Sequence, residues 1–444
     1  MNVHFIAIGG SAMHNLALAL AHQGDTVTGS DDEIFEPSRS RLADTGILPT
    51  EFGWFPEKIH EGLDAIILGM HAREDNPELL KAKELGLNIY SYPEYLYQRT
   101  RSKKRAVIGG SHGKTTITSM VLHALNYNKV DHDYMVGALL DGFERSVLLK
   151  DETPIAVFEG DEYLSSPIDR RPKFHLYNPH IALISGIAWD HMNVFPTFDN
   201  YVEQFRIYVS KIEDGGVLIY NAEDEEVVKV AKTAREGIRA LPYHTPNYRI
   251  DDGKTFLKLE NEEIPIQVFG KHNLQNMEGA RLVCAELGVS TANFYEAMQH
   301  FRGASRRLEK MHEEDDYIVY RDFAHAPSKL KATTSAVKEM YPNRHLLACM
   351  ELHTFSSLNK AFLHHYEGAM NAANTALVYF SPDVVAHKRL PEITIEDVSQ
   401  AFGRNDLKVF TDAQEMQAFI ESQDKANSVR LLMSSGNWGG ATLF

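Results

Sequence analysis

The sequence predicts an α/β protein of three αβ domains, the middle one opening with a phosphate-binding loop. Two observations carry that prediction. Short apolar runs of strand length alternate with stretches of helical spacing along the chain, as in parallel sheets with crossover helices. The stretch Gly109-Gly110-Ser111-His112-Gly113-Lys114-Thr115-Thr116 follows the apolar run Ala106-Val107-Ile108 and leads into residues 117–125, which have helical spacing. Strand, Gly-rich turn, Lys-Thr and helix form the phosphate cradle of nucleoside triphosphate enzymes. The glycines let backbone N–H groups crowd a phosphate, Lys114 supplies a point charge, the helix N-terminus adds its positive dipole end, and a Thr hydroxyl can ligate Mg²⁺. The turn is one residue shorter than the general G-x-x-x-x-G-K-[ST] pattern.

The first domain, residues 1–98, is predicted to be Rossmann-like. Val3-His4-Phe5-Ile6-Ala7-Ile8 reads as a strand, Gly9-Gly10-Ser11-Ala12-Met13 as a tight turn, and Asn15 to Ala21 as a helix. A second strand, Thr26-Val27-Thr28-Gly29, ends at Ser30-Asp31; Ala65-Ile66-Ile67-Leu68-Gly69 is a further buried strand and residues 77–85 a helix. Asp31 stands 22 residues after Gly9, near the offset of the acidic residue in dinucleotide-binding units. The glycine pattern is incomplete, so a βα turn without a ligand remains an equal reading. The second domain, 99–303, is predicted to hold a P-loop ATPase-like parallel sheet. It begins with the basic run Arg99-Thr100-Arg101-Ser102-Lys103-Lys104-Arg105, read as a solvated connector, and continues through the strands Ile155-Ala156-Val157-Phe158, Ile181-Ala182-Leu183-Ile184 and Gly216-Val217-Leu218-Ile219-Tyr220. The third, 304–444, is predicted to be Rossmann-like again, with strands at Tyr317-Ile318-Val319-Tyr320, His345 to Cys349, Thr375 to Tyr379 and Val429 to Met433.

Composition narrows the function. The 444 residues carry a formal net charge of −16, which argues against nucleic acid or an anionic membrane as main partner. The two cysteines, Cys284 and Cys349, form no C-x-x-C pair, as expected in a reducing compartment without a disulfide framework or Cys-based zinc site. With neither a signal peptide nor ~18 uninterrupted apolar residues, the expectation is a cytoplasmic protein.

Beyond the P-loop, chemistry-bearing residues cluster after strands, where open parallel sheets bind ligands. Glu159-Gly160-Asp161-Glu162 follows one strand, and a carboxylate there is placed to hold Mg²⁺, which prefers carboxylate and phosphate oxygens. Asp190-His191 follows the next and could ligate a second Mg²⁺ or orient an acidic substrate. Singly, each also reads as an exposed loop group. Gly270-Lys271-His272-Asn273-Leu274-Gln275-Asn276 opens a helix over 277–287, where Asn side chains can read an adenine edge or cap the helix. Arg306-Arg307, Asp322-Phe323-Ala324-His325, Glu351-Leu352-His353 and Ser434-Ser435-Gly436-Asn437-Trp438 mark the last domain.

Taken in order, these motifs resemble the Mur ligase family, ATP-dependent amide-bond-forming enzymes of bacterial peptidoglycan. The resemblance spans essentially the whole chain: Gly9-Gly10-x-x-Met13, the P-loop, Glu159-x-Asp161-Glu162, Asp190-His191-Met192, Asn221-Ala222-Glu223-Asp224, Gly270-x-His272-Asn273-x-x-Asn276, Arg306-Arg307 and Asp322-Phe323-Ala324-His325. It is similar to the two UDP-N-acetylmuramate branches, one adding L-alanine and the other, in recycling, the tripeptide L-alanyl-γ-D-glutamyl-meso-diaminopimelate. Phe35-Glu36-Pro37-Ser38, Asp161-Glu162-Tyr163, Asp169 to Phe174 and Met433 to Gly440 look more like the recycling branch, so the tripeptide is the expected acceptor and L-alanine the alternative. The chain departs from the family at Ala326, where a second His is usual. At His353-Thr354-Phe355-Ser356-Ser357 neither branch's arginines occur, and Gly186 to Trp189 lacks the usual Asn and Glu.

The resemblance implies ATP and Mg²⁺ as cofactors, and UDP-N-acetylmuramate with a short peptide or amino acid as substrates of a monomer or weak dimer. It implies that Gly110, Ser111, His112, Gly113, Lys114, Thr115 and Thr116 bind ATP phosphates, with Asn273 and Asn276 on adenine and Arg307 and Asp322 completing the nucleotide site. Thr115, Glu159 and His191 would hold metal. Gly9, Gly10, Ser11, Ala12, Met13, Ser30 and Asp31 would take the UDP part, and Lys114, His191, His325 and His353 would carry the chemistry. Three rival classes stay open: a dehydrogenase suggested by Gly9-Gly10 and Asp31, a non-catalytic nucleotide-binding regulator, and a folate-glutamate ligase, which leaves the N-terminal αβ domain unexplained.

Overall fold

A computed structural model describes all residues except 141, 190–193, 252, 261, 304–306 and 444. Its strands form four sheets in a mixed α/β, three-domain fold, and the residues fall into two compact units. The first unit comprises residues 1–187, 193–243 and 279–294, the second 188–192, 244–278 and 295–444.

The first unit starts with β1 (Asn2–Ile6), α1 (Ser11–His22), β2 (Thr26–Ser30), α2 (Ser38–Asp44), β3 (Ala65–Leu68), α3 (Pro77–Glu84), β4 (Ile89–Ser91) and α4 (Tyr92–Thr100). The four strands pair in parallel in the order β2-β1-β3-β4. Such a sheet is covered on both faces, which is why β3 reads Ala-Ile-Ile-Leu and is buried throughout. Ile6, Ile66, Leu68, Leu79 and Ala82 pack together on one side. α4 opens with a capping box in which Ser91 and Glu94 each satisfy the other's backbone N–H.

The chain continues through β5 (Lys104–Gly109), α5 (Lys114–Tyr127), β6 (Asp133–Met135), β7 (Val147–Leu148), β8 (Ile155–Glu159), β9 (Ile181–Ile184), α6 (Phe198–Ser210), β10 (Val217–Asn221), α7 (Glu225–Ala231) and β11 (Arg239–Tyr243). Their sheet has the order β11-β10-β9-β5-β8-β6-β7, parallel except for the β6–β7 edge. The predicted P-loop strand β5 lies at its centre, and the P-loop joins it to α5.

The basic run before β5 differs from its predicted role as a solvated connector. Lys103 and Arg105 are buried, at 5% and 1% exposure. Arg105 donates through Nε to the carbonyls of Tyr177 and Asn178 at 2.9 and 3.0 Å. Its Nη1 donates to those of Thr100, Arg101 and Lys103 at 3.0, 2.9 and 3.0 Å, and Nη2 to Glu213 at 3.1 Å. Lys103 donates to Asp133 and to Thr153. The carbonyls that end α4 would otherwise be orphaned in the interior, and only a fork of charged donors serves so many at once.

The second unit adds β12 (Tyr248–Asp251), β13 (Lys254–Lys258) and β14 (Glu263–Ile266), an antiparallel sheet absent from the sequence reading. Helices α8 (Lys271–Glu286) and α9 (Thr291–Met298) belong partly to each unit. Then follow β15 (Glu309–Glu313), β16 (Tyr317–Asp322), α10 (Pro327–Met340), β17 (His345–Leu352), β18 (Thr375–Phe380), α11 (Pro382–His387), α12 (Ile395–Phe402), β19 (Lys408–Phe410), α13 (Ala413–Ser422) and β20 (Ser428–Met433). The order β15-β16-β20-β17-β18-β19 is parallel except at β15. Alternation along β17 sends Leu346, Ala348, Met350 and Leu352 to one core and Leu347 and Cys349 to the other. Cys284 and Cys349 are free and buried, and burial pushes both thiols up. No helix among the described residues is long and apolar enough to cross a membrane.

Replacing Arg105 by Met should strand five carbonyls, those of Tyr177, Thr100 and Lys103 in buried surroundings. The expected loss is roughly 3–5 kcal/mol, seen as a lowered midpoint in denaturant unfolding; a midpoint within error of wild type would contradict this role.

Candidate functional site

The P-loop is built by positive φ where the sequence supplies glycine: Gly110 at 134° and Gly113 at 81°. A Cβ on Gly110 would also collide with the Ser185 hydroxyl. The loop leans on the segment after β9. Ser111 N–H and Oγ–H both donate to Gly186 O, at 3.0 and 3.1 Å, and Ser185 N–H donates to Gly109 O at 3.1 Å. That segment is itself held by the motif after β10. Asn221 Nδ2 donates to Ser185 O at 3.0 Å, while Asp224 accepts from Ile187 N–H at 2.9 Å and from the first turn of α7. Asn221-Ala222-Glu223-Asp224 therefore shapes the phosphate loop from two strands away, through the segment after β9.

Lys114 opens α5 and donates to Gly110 O and to Glu162 Oε2, both at 2.6 Å. Burial alone would lower its ammonium pKa, but Glu162, Asp161 and Glu159 outweigh that and hold it above the ordinary lysine value. Glu162 also accepts from Tyr201 OH at 3.2 Å. Thr115 Oγ1 donates to Glu159 Oε1 at 3.0 Å, and Gly137 N–H to Glu159 Oε2 at 3.0 Å. Asp161 pairs with Lys173 at 2.6 Å; burial favours its neutral form, yet Lys173 leads the charges that keep it below the usual carboxylate range. A hydroxyl and a carboxylate side by side next to Lys114 suit a hard cation that keeps most of its waters and shares phosphate oxygens. Among the described residues no group of three or more His, Cys, Asp or Glu gathers as a metal cage. Asp190 and His191, expected to add metal or acyl-phosphate contacts, lie outside the described residues, as does Arg306.

The UDP-binding candidates lie at the C-terminal ends of β1 and β2. Gly10 precedes α1, whose first residues Ser11, Ala12 and Met13 present the helix N-terminus. Asp31 Oδ2 accepts from Gly9 N–H at 2.7 Å, and a Cβ on Gly9 would sit 2.9 Å from that oxygen. Ser30 is buried, with Lys58 Nζ at 3.4 Å from its hydroxyl. Burial pushes the Asp31 carboxyl up to about 6, the Gly9 bond opposing and Asp32 adding to it. A cavity of about 730 Å³ runs from Gly9, Gly10, Ser11 and Asp31 to Glu159 and Asp161, so both candidate groups of the first unit share one space.

In the second unit, Asn273 and Asn276 are buried in the first turns of α8, and Asn273 Nδ2 donates to Phe269 O at 3.0 Å. That bond satisfies a carbonyl just before the helix; it is not the capping arrangement, in which the side chain accepts from a free N–H of the first turn. Asp322, at the end of β16, accepts from Leu308 N–H and Ala324 N–H, both at 2.7 Å; burial raises its pKa against the pull of Arg307. Arg307 stacks on Phe323 at 4.9 Å, and His325 Nδ1 lies 2.9 Å from Phe323 O. His353 Nδ1 is 3.6 Å from Glu351 Oε1. Glu351 is buried and accepts from Ser434 Oγ–H and, at 3.0 Å, from Trp438 N–H, tying the turn after β20 to β17. The sequence reading left Glu162, Lys173 and Glu351 without roles, although each stands in a segment it singled out.

Family models match almost end to end: "Mur ligase family, catalytic domain" over residues 2–104, "Mur ligase middle domain" over 108–284 and "Mur ligase, glutamate ligase domain" over 306–436. The UDP-N-acetylmuramate–L-alanine ligase of Caldicellulosiruptor bescii is 31% identical over 387 residues, covering 84% of this chain and 82% of its own. Among solved structures, the murein peptide ligase of Psychrobacter arcticus aligns with a TM-score of 0.66 at 24% identity, and the UDP-N-acetylmuramate–alanine ligase of Thermotoga maritima with 0.71 at 21%. Each alignment covers 99% of this chain and 97% of the other. At those identities the likeness is one of fold.

Asp31 sets a pH signature. Its folded pKa of about 6 exceeds the ordinary 3.8, so stability is fullest below 3.8 and falls as pH rises through 6. Asp31→Asn should match wild type near pH 3.5 and exceed it by on the order of 2 kcal/mol at pH 8. Thermal melts across that range test it, and parallel pH curves for the two proteins would refute it.

Proposed function

Because this chain belongs to the Mur ligase family and is an ATP-dependent amide-bond ligase, we propose that it activates the lactoyl carboxylate of UDP-N-acetylmuramate and joins it to an amine. The observation that carries this reading is the continuous cavity between the Gly9–Asp31 turn and the Glu159 carboxylate beside the P-loop. A carboxylate is a poor acyl donor. Its oxygen would attack the γ-phosphorus of ATP, ADP would leave, and the amine would then attack the acyl phosphate carbon and expel phosphate through a tetrahedral intermediate. The protein's work is positioning and charge neutralisation.

In this scheme residues 1–98 hold the UDP part, 99–303 the ATP and 304–444 the acceptor. Lys114 leaves Glu162 to bind the β- and γ-phosphates, while the backbone of Gly110–Gly113 and the α5 N-terminus bind the rest. Thr115 and Glu159, with His191 by resemblance, would hold Mg²⁺, which neutralises charge between phosphate oxygens. By resemblance, Asn273, Asn276, Arg307 and Asp322 would contact nucleotide and His325 and His353 the incoming amine.

Sequence relatives named as L-alanine ligases favour L-alanine as acceptor, reversing the preference drawn from the sequence motifs. The tripeptide remains a second reading on the stretches that look more like the recycling branch, Phe35-Glu36-Pro37-Ser38 and Asp161-Glu162-Tyr163 among them.

The test incubates the protein with ATP, Mg²⁺ and UDP-N-acetylmuramate plus either acceptor, reading phosphate release and product mass. Turnover with L-alanine alone supports the first reading, turnover with tripeptide alone the second, and turnover with neither overturns both. Lys114→Ala should lower phosphate release by at least about 100-fold, assayed below its melting temperature, which should itself fall because buried Glu162 loses its cation; retained turnover would remove Lys114 from the mechanism.

A further inference from the structure

One polar group in the wall of the cavity is left unmatched. His14 lies in the first turns of α1, is 2% exposed, and lines the cavity shared by Asp31 and Glu159. Its Nδ1 is 3.0 Å from Gly10 O and 3.0 Å from Ser38 Oγ. A carbonyl oxygen can only accept, so the ring proton resides on Nδ1. Burial, helped by Arg41 and opposed by the Gly10 bond, keeps the imidazole neutral. Nε2 is then a bare acceptor, buried and without a hydrogen-bond partner among the described residues.

An unmatched buried acceptor is complementary to a donor. If the cavity takes a uridine nucleotide, as the proposed function has it, phosphate oxygens cannot fill that role, because at neutral pH they only accept. On the uridine side of the diphosphate the donors are the imide N–H of the base and the hydroxyls of the ribose; the amide N–H and hydroxyls of the amino sugar lie beyond the diphosphate. Asp31, in the same wall and ionised above pH 6, is a second acceptor. Both groups therefore suit the nucleoside half, while the N-terminus of α1 suits the phosphates.

We propose that His14 is a specificity-determining residue whose Nε2 accepts a hydrogen bond from the nucleoside of the UDP-linked substrate, either the uracil imide N–H or a ribose hydroxyl. The imide case would select uracil over cytosine, whose ring N3 carries no proton. The hydroxyl case would select ribose over deoxyribose.

Calorimetric titration of the full chain at pH 8 with UDP, CDP and 2′-deoxy-UDP tests this. Wild type should bind UDP about tenfold more tightly than one of the two analogues, a difference of the size of one hydrogen bond. A deficit for CDP identifies the imide and a deficit for 2′-deoxy-UDP the hydroxyl. His14→Phe should weaken UDP by the same factor and leave the deficient analogue unchanged. His14→Gln, whose amide oxygen can accept, should restore part of the discrimination. Equal affinity of wild type for all three nucleotides overturns the proposal without any variant, as does an equal loss for all three in His14→Phe. In either case UDP still binds and the ligase reading stands. Failure of wild type to bind UDP at all overturns the assignment of the cavity, and the role of His14 with it.

Discussion

The strand that carries the phosphate loop is anchored at its base by one buried guanidinium. Arg105, near the start of β5, gathers carbonyls from the end of α4 and from the segment before β9. Gly109, at the far end of the same six-residue strand, begins the P-loop. The N-terminal sheet reaches the central sheet through the segment that Arg105 clamps, so the cavity walls contributed by β1 and β2 are referenced to the strand that positions Lys114. A lysine could neither span that set of acceptors nor stay charged as readily in so buried a place. Lys103 repeats the device on the other side by pairing with Asp133 at the start of β6.

A second layer of positioning comes from residues that touch no phosphate. Asn221 and Asp224 fix the backbone of residues 185–187, and Gly186 O in turn receives both donors of Ser111. In the second unit, Glu351 does comparable work by pinning Ser434 and Trp438. Both are carboxylate-or-amide ties between adjacent parallel strands, made just beyond the strand ends where open sheets bind ligands. Their effect is to convert irregular loops into rigid walls, as a preorganised site requires.

Much of the fold was legible because β-strands buried on both faces leave unbroken apolar runs; Ala65–Leu68 and Ile181–Ile184 were read as strands from that signal alone. The phosphate loop was legible because its glycines and Lys-Thr occur at fixed spacing. The antiparallel β12–β14 sheet was not, since strands such as Lys254–Lys258 are short and half polar. Arg105 and Lys103 were misread as solvated because a run of cations looks alike whether it faces water or a ring of carbonyls. Partners far away in sequence, Tyr177 and Asp133, decide the matter. The acceptor preference failed to be fixed for a related reason: it rests on absent arginines and on a few replaced side chains, and local motifs do not say what those replacements face.

The pairing of Lys114 with Glu162 changes what nucleotide binding means for this loop. The lysine is already neutralised, so in the proposed site an arriving triphosphate would substitute one anion for another and release a carboxylate that must find a new cation or water. Binding becomes an ion exchange whose driving force is the difference between two matched pairs. Such a loop holds nucleotide less tightly than an unpaired lysine would. Without nucleotide, the loop keeps its lysine paired.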